Sequence, residues 1–448
     1  MANALDKDIS NLLRRNTVST TIPKSVQKFM EEITELCGET HKEWAINFNH
    51  SFSNTLETTL KVHDDGTTFL LTGDIPAMWL RDSTAQMRPY LVLAEKDETI
   101  RNLIAGLVRK QMYYINLDPY ANAFNESENF AGHQSDHTNF NETKGWIWER
   151  KYEIDSLCYP VQLAYLLYKN TGYTEHFDDV FVEAVSKLLD VFETEQDHEN
   201  SPYRFVRDTE RLEDTLPREG RGTAVAYTGM TWSGFRPSDD ACQYGYLVPS
   251  NMFAVVVLDY LVEIFTDLIP NDVLAQRSKK LGMTIREGLD KHAKTTNQKG
   301  ETIWAYEVDG LGQASVMDDS NIPNLMAAPY LGFCDIDDTC YLQTRKTLLS
   351  QENPFYYEGT YARGIGSSHT PENYVWPIAM AMEGLTSSDK DEKKRILDQL
   401  VATDAGTHLM HEGFDVDNPN HYTREWFSWA NMMFCELVMD YFDIRVKR

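Results

Sequence analysis

At 448 residues the chain exceeds the usual size of one compact core, so it either divides into domains or closes into a large architecture such as a barrel. Hydrophobic residues at 42% and charged residues at 25% exclude a disordered or fibrous chain. With 42 Lys and Arg against 69 Asp and Glu, the formal charge of −27 argues against a nucleic acid or an anionic lipid surface as partner; it suits a neutral small molecule or polymer, and solubility explains it equally well.

Helical periodicity predicts, in chain order, helices over Lys24–Leu36, Met87–Leu103, Ser156–Tyr168, Phe177–Phe192, Met252–Leu268, Val273–Leu289, Thr339–Ser350, Val375–Leu385, Lys393–Val401 and Trp426–Tyr441. No comparable set of alternating strands accompanies them. Neighbouring helices are separated by short breaks, as at Pro270–Asn271, which reads as repeated helical hairpins. Longer connections lie between the hairpins at 66–82, 116–148, 201–250, 306–324, 357–372 and 408–424. They are rich in Trp, Tyr, Gly, Asp and His, so they read as functional and not as disordered. Roughly six helical pairs with long loops predict an all-α toroid of inner and outer helices, one domain over residues 1–448, with the loops at one mouth. An open solenoid is disfavoured because the hairpins share no repeated motif.

Six scattered cysteines lack zinc or redox spacing and read as reduced, mostly buried residues. The first 16 residues have neither the apolar stretch nor the small-residue site of a secretory signal. The longest apolar run, Met252–Leu258, is too short to span a bilayer, and the expected location is the cytoplasm.

Several loop segments carry an unusual mixture of aromatic, acidic and arginine residues. In Gly73–Ser83, Trp79 offers a stacking surface, Arg81 a fork of donors and Asp82 an acceptor, which is what a sugar ring and its hydroxyls need. The bland alternative is that Asp82 or Ser83 caps the following helix and Arg81 pairs with a carboxylate. Gly229–Asp240 ends in the adjacent acids Asp239 and Asp240, one of which could retain a proton for general-acid work; paired Asp residues also occur at turns. His411–Asp415 places Glu412 beside Gly413, exposed enough to activate water. Glu425 reads as a first-turn helix acid, and His411 and His421 lack metal-site spacing. Gly364–Pro371 has no phosphate-loop lysine, and His369 in it could be a structural histidine. Trp146–Asp155 and Met317–Asn324 share the same polar and aromatic character.

The segments GDIPAMWLRDS, GMTWSGFRPSDD, DDSNIPNL, GIGSSHTP and HEGF resemble glycoside hydrolase family 125 over nearly the whole chain. That resemblance implies an (α/α)6 barrel and an inverting exo-α-mannosidase that removes α-1,6-linked mannose from a non-reducing end without a metal or other cofactor. It puts the general acid on Asp239, with Asp240 as the alternative, and the general base on Glu412. Trp79, Arg81, Asp82, Trp232, Arg236, Asp318, Asn321, Ser367, His369 and Arg424 are then expected to hold the sugar, and the expected partner is an α-mannoside oligosaccharide. Two rivals remain open at this point. A polysaccharide lyase on a similar toroid would need a basic cleft, and a helical glycan binder would release no sugar.

Overall fold

The computed structural model describes residues 22–139 and 143–448; the N-terminal segment read above against a secretory signal lies outside them. The helices alternate between two concentric layers. A first helix, α1 (Lys24–Cys37), packs on α2 (Lys42–Asn54). From there the outer layer is α2, α4 (Glu98–Leu117), α6 (Asp179–Glu195), α8 (Asp272–His292), α10 (Thr339–Leu348) and α12 (Lys390–Ala402). The inner layer is α3 (Leu80–Met87), α5 (Ile154–Thr171), α7 (Val248–Glu263), the single turn α9 (Ala328–Leu331), α11 (Pro377–Leu385) and α13 (Ser428–Tyr441). α3 packs on α5, α5 on α7, α7 on α9, α11 on α13, and α13 back on α3, which closes the ring.

The two layers differ in how the sequence makes them helical. In α6 the buried residues Phe181, Ala184, Val185, Leu188 and Phe192 recur at one-turn spacing, an amphipathic stripe facing inward. By contrast every residue of α7 from Val248 to Leu258 is buried, as suits a helix surrounded by others. α7 and the π-turn after it, Val248–Leu268, are 21 residues long and apolar enough to cross a membrane, but the span is 78% buried inside the barrel.

Helix starts differ in the same way. α4, α6, α8, α10 and α12 open on Asp97, Asp178, Asn271, Asp338 and Asp389, whose side chains accept from first-turn N–H groups. The inner helices have no such cap. Three of them place a proline, which needs no N–H partner, in the first turn: Pro249, Pro329 and Pro377.

Several expectations shift. The predicted Met87–Leu103 helix breaks at a 3₁₀ turn over Arg88–Tyr90, and α4 starts afresh at Glu98 behind its Asp97 cap. α2 and α3 were not predicted, because α2 mixes polar and aromatic residues and α3 lies inside a motif that reads as loop. The expectation of no strands is also corrected. Short antiparallel ribbons brace the mouth, including β1 (Met78–Trp79), β2 (Ala123–Phe124) and β3 (Ile147–Glu149), and β4 (Tyr374–Val375), β5 (Gly413–Asp415) and β6 (Asn418–Thr423). Most have two or three residues, too few for alternation to show in the sequence. All six cysteines are free thiols.

Candidate active site

The chain enters three inner helices directly from these ribbons, which fixes side chains at the helix N-terminal ends. β1 runs into α3 at Trp79–Leu80, β4 into α11 through Trp376, and β6 into α13 through Arg424–Phe427. Gly73 lets the first of these loops approach the last. It pairs with Phe427, has φ +136°, and a Cβ on it would lie 2.7 Å from the Trp426 carbonyl oxygen. The result is a cavity of about 190 Å³. Trp79, Arg81, Asp82, Asp239, Asn321, His369, Glu412 and Arg424 line it, together with Thr72, Ile75, Pro237, Ser238, Trp376, Phe427 and Trp429.

Five polar atoms on cavity-lining residues are buried and have no hydrogen-bond partner among the described residues. Three are donors, Trp79 Nε1, Arg81 Nε and Trp429 Nε1, and two are acceptors, Asp82 Oδ1 and Asn321 Oδ1. Buried polar groups normally find partners. A lining of mixed donors and acceptors together with tryptophan side chains is suited to a ligand whose groups both donate and accept, as hydroxyls do.

Arg81 organises one wall. Its Nη1 donates to Glu153 Oε2 at 2.6 Å and to Asp155 Oδ2 at 3.2 Å, while Nε lies 3.4 Å from Asp82 Oδ1 and Nη2 3.6 Å from Asp239 Oδ1. One guanidinium thus serves four carboxyl groups. Burial pushes Asp82 and Asp155 each up to about 6, against the opposing pull of Arg81. Asp239 has φ +68°, a left-handed conformation that Asp tolerates better than most residues. Lys151 Nζ donates to the Asp239 carbonyl at 2.7 Å, and Asn122 Nδ2 reaches Asp239 Oδ1 at 3.4 Å. Burial works to raise Asp239, but Arg81 and Lys151 hold it below the usual carboxylate range.

The neighbouring Asp240 faces elsewhere. Its side chain is fully buried, outside the cavity lining, and accepts from Ser368 Oγ at 2.6 Å and Arg211 Nη2 at 2.9 Å, with His369 Nδ1 at 3.0 Å. Burial works to lower His369, but its hydrogen bond to Asp240 and the nearby Glu412, Asp240 and Asp239 charges raise it above the usual histidine value. Glu412, also in the lining, is 3.5 Å from Arg424 Nη1. Arg424 Nε donates to Asp74 at 3.0 Å, and its guanidinium lies 4.3 Å from the Phe427 ring centroid.

Four residues expected to hold sugar lie outside this lining. Trp232 is buried and stacked on His198 at 3.4 Å between centroids. Arg236 donates to Glu307 Oε1 at 2.6 Å and anchors the Asp239 loop from behind. Asp318 accepts from the Leu325 and Met326 N–H groups at 2.9 and 3.0 Å, a backbone brace. Ser367 accepts the His369 N–H at 3.1 Å and shapes that loop. A tryptophan or arginine in a glycine-rich loop looks alike in sequence whether it meets a ligand or its own core. Of the lining residues not expected, Trp429 lies within the predicted Trp426–Tyr441 helix; Trp376 carries no local signal beyond its place before a helix. Among the described residues, no group of three His, Cys, Asp or Glu side chains is arranged to hold a metal ion.

Residues 41–439 match the family model of the metal-independent α-mannosidases, glycoside hydrolase family 125. The chain is 37% identical over 438 residues to the meiotically up-regulated gene 157 protein of Schizosaccharomyces pombe, covering 93% of this chain and 85% of that one. It superposes with a TM-score of 0.93 and 58% identity on a Streptococcus pneumoniae metal-independent α-mannosidase in a non-productive complex with α-1,6-mannobiose, over 96% of this chain and all of that one. A bacterial glucoamylase complexed with acarbose shares the fold at 12% identity, with a TM-score of 0.56 over 94% of this chain and 58% of its own. Fold and site together define the class: an (α/α)6-barrel glycoside hydrolase. The chain belongs to glycoside hydrolase family 125, the metal-independent α-mannosidases, and the lyase and pure-binder readings fall away.

Proposed function

We propose that the protein is an inverting exo-α-mannosidase that removes terminal α-1,6-linked mannose, with Asp239 as general acid and Glu412 as general base. The observation that carries the substrate reading is the cavity with five buried polar atoms that have no hydrogen-bond partner among the described residues, together with the α-1,6-mannobiose bound by the 58% identical relative. A cavity of about 190 Å³ suits a single terminal sugar and hence exo action. Trp79, Arg81, Asp82, Asn321, His369, Arg424 and Trp429 are assigned to holding that mannose.

Of the two adjacent aspartates, Asp239 lines the cavity with a side chain about a quarter exposed, while Asp240 is consumed by His369, Ser368 and Arg211. Asp239 then protonates the glycosidic oxygen as the bond to C1 breaks. Glu412, kept near the Arg424 guanidinium, takes a proton from the water that adds to the opposite face of C1. The test is hydrolysis of α-1,6-mannobiose followed by proton NMR. The first-formed product is expected to be β-mannose; first-formed α-mannose would overturn the inverting assignment.

A further inference from the structure

The polar and aromatic segment Trp146–Asp155 adds a second carboxyl group to the Asp239 wall. Glu153 immediately precedes α5, and its side chain is wholly buried. Its Oε2 accepts from Arg81 Nη1 at 2.6 Å and from Ser156 Oγ at 2.8 Å. Its Oε1 is buried and has no hydrogen-bond partner among the described residues, and Arg81 Nη2, on the same guanidinium, lies 3.6 Å from Asp239 Oδ1, so the Glu153 and Asp239 carboxyl groups flank one cation. Two carboxylates crowded on one guanidinium repel each other, which favours a proton on one of them.

The charges around the pair enforce that proton. Arg81 from α3, Lys151 from the strand end before α5 and His369 from the loop before β4 face it as cations. Asp82, Glu149 and Asp155 face it as acids, and Asp240 is held off by its own partners. Burial and the Asp239 charge push Glu153 well above the usual carboxyl range, while Asp239 is held low.

We propose that Glu153 is a positioning residue that stores the proton of the general acid, sharing it with Asp239 across a carboxyl–carboxylate hydrogen bond. With substrate bound, the Glu153 proton passes to Asp239 and from Asp239 to the glycosidic oxygen as the C1–O bond breaks. Water adds to C1 and loses one proton to Glu412. Glu412 then releases that proton to solvent, and the pair regains one from solvent through Asp239, its more exposed member. The sum is one water consumed and one glycosidic bond cleaved, with no net proton change.

This inference rests on the reading of Asp239 as the acid, and the experiment separates the two. α-1,6-Mannobiose needs leaving-group protonation, whereas α-mannosyl fluoride needs little. Glu153→Gln keeps a donor towards Asp239 but no transferable proton. It is expected to lower mannobiose turnover by about 100-fold, in the range of general-acid effects, to spare fluoride hydrolysis to within about threefold, and to move the alkaline limb of kcat/KM at least about one pH unit towards acid. An unmoved limb, or equal losses on both substrates, overturns the proposal. Asp239→Asn serves as the reference: if fluoride does not rescue it, the acid assignment itself fails, and if fluoride rescues it while Glu153→Gln behaves as wild type, only the Glu153 inference fails. Should Glu153→Gln not fold, the wild-type profile decides. An alkaline limb above neutrality supports a stored proton, and one at ordinary carboxyl values near 4–5 overturns it.

Discussion

Around Asp239 stand Glu153, Asp155, Asp82 and Glu149, with Arg81 and Lys151 among them; Glu412, in the same lining, faces the Arg424 guanidinium, itself held by Asp74. Crowded carboxyl groups with too few cations must keep a proton, and a general acid has to start protonated. Glu412 instead faces a single guanidinium that Asp74 clamps, which orients its carboxyl group for the proposed base role. The same functional group is therefore given different surroundings at the two positions.

The largest effects should come from erasing either of the two proposed reacting groups. Asp239→Asn and Glu412→Gln are each expected to lower turnover of α-1,6-mannobiose by about three to four orders of magnitude, with little change in Tm. The two should then part company. α-Mannosyl fluoride rescues the first and not the second, because a better leaving group replaces an acid but not a base; rescue of both, or of neither, breaks the comparison. Asp82→Asn keeps the shape of the cavity but weakens a charged acceptor, and kcat/KM is expected to fall by about 10- to 100-fold, as for loss of one charge-assisted hydrogen bond. Steady-state kinetics on mannobiose checks this.

Asp318 provides a pH test away from the chemistry. Burial raises its carboxyl to about 8, against an unfolded value near 3.9. Between those values the folded protein binds the proton and the unfolded chain does not, so this group's contribution to stability is complete below about pH 4 and lost as pH rises through 8. Asp318→Asn should flatten the fall of stability over that window by about one proton, read from denaturant melts at several pH values. The smallest effect on activity is expected from Trp232→Phe. It loses the indole stack on His198, so Tm should drop by a few degrees while kcat/KM stays within about twofold. A tenfold loss in kcat/KM would return Trp232 to the sugar site.

Among the outer helices, α2 was not legible, whereas α6, α8, α10 and α12 were. Their amphipathic stripes and their Asp or Asn caps are local signals, as at Asp178 with Phe181 and Leu188, because one face meets water and one meets the inner layer. Four inner helices, α5, α7, α11 and α13, were legible as well, and the other two were not. α9 is a single turn, α3 is hidden inside a loop-like motif, and neither start carries a side-chain cap to mark it. At the site, Trp79, Arg81, Asp82, Asp239 and Glu412 were visible as unusual residue types in long loops, and all five reach the cavity. Trp232, Arg236, Asp318 and Ser367 carry the same marks but are spent on His198, Glu307, backbone N–H groups and the His369 loop.

The sequence by itself determined that this is a helical, acidic, sugar-directed chain, since periodicity and loop composition are properties of neighbouring residues. The family resemblance put the expected acid on Asp239, with Asp240 as the alternative. Only the tertiary structure shows how differently those two are placed, because their difference lies in residues far along the chain: Arg81 beside one, Arg211, Ser368 and His369 around the other. Ring closure brings these groups together, and in a buried cluster it is the sum of charges, not the identity of any one side chain, that sets where a proton rests.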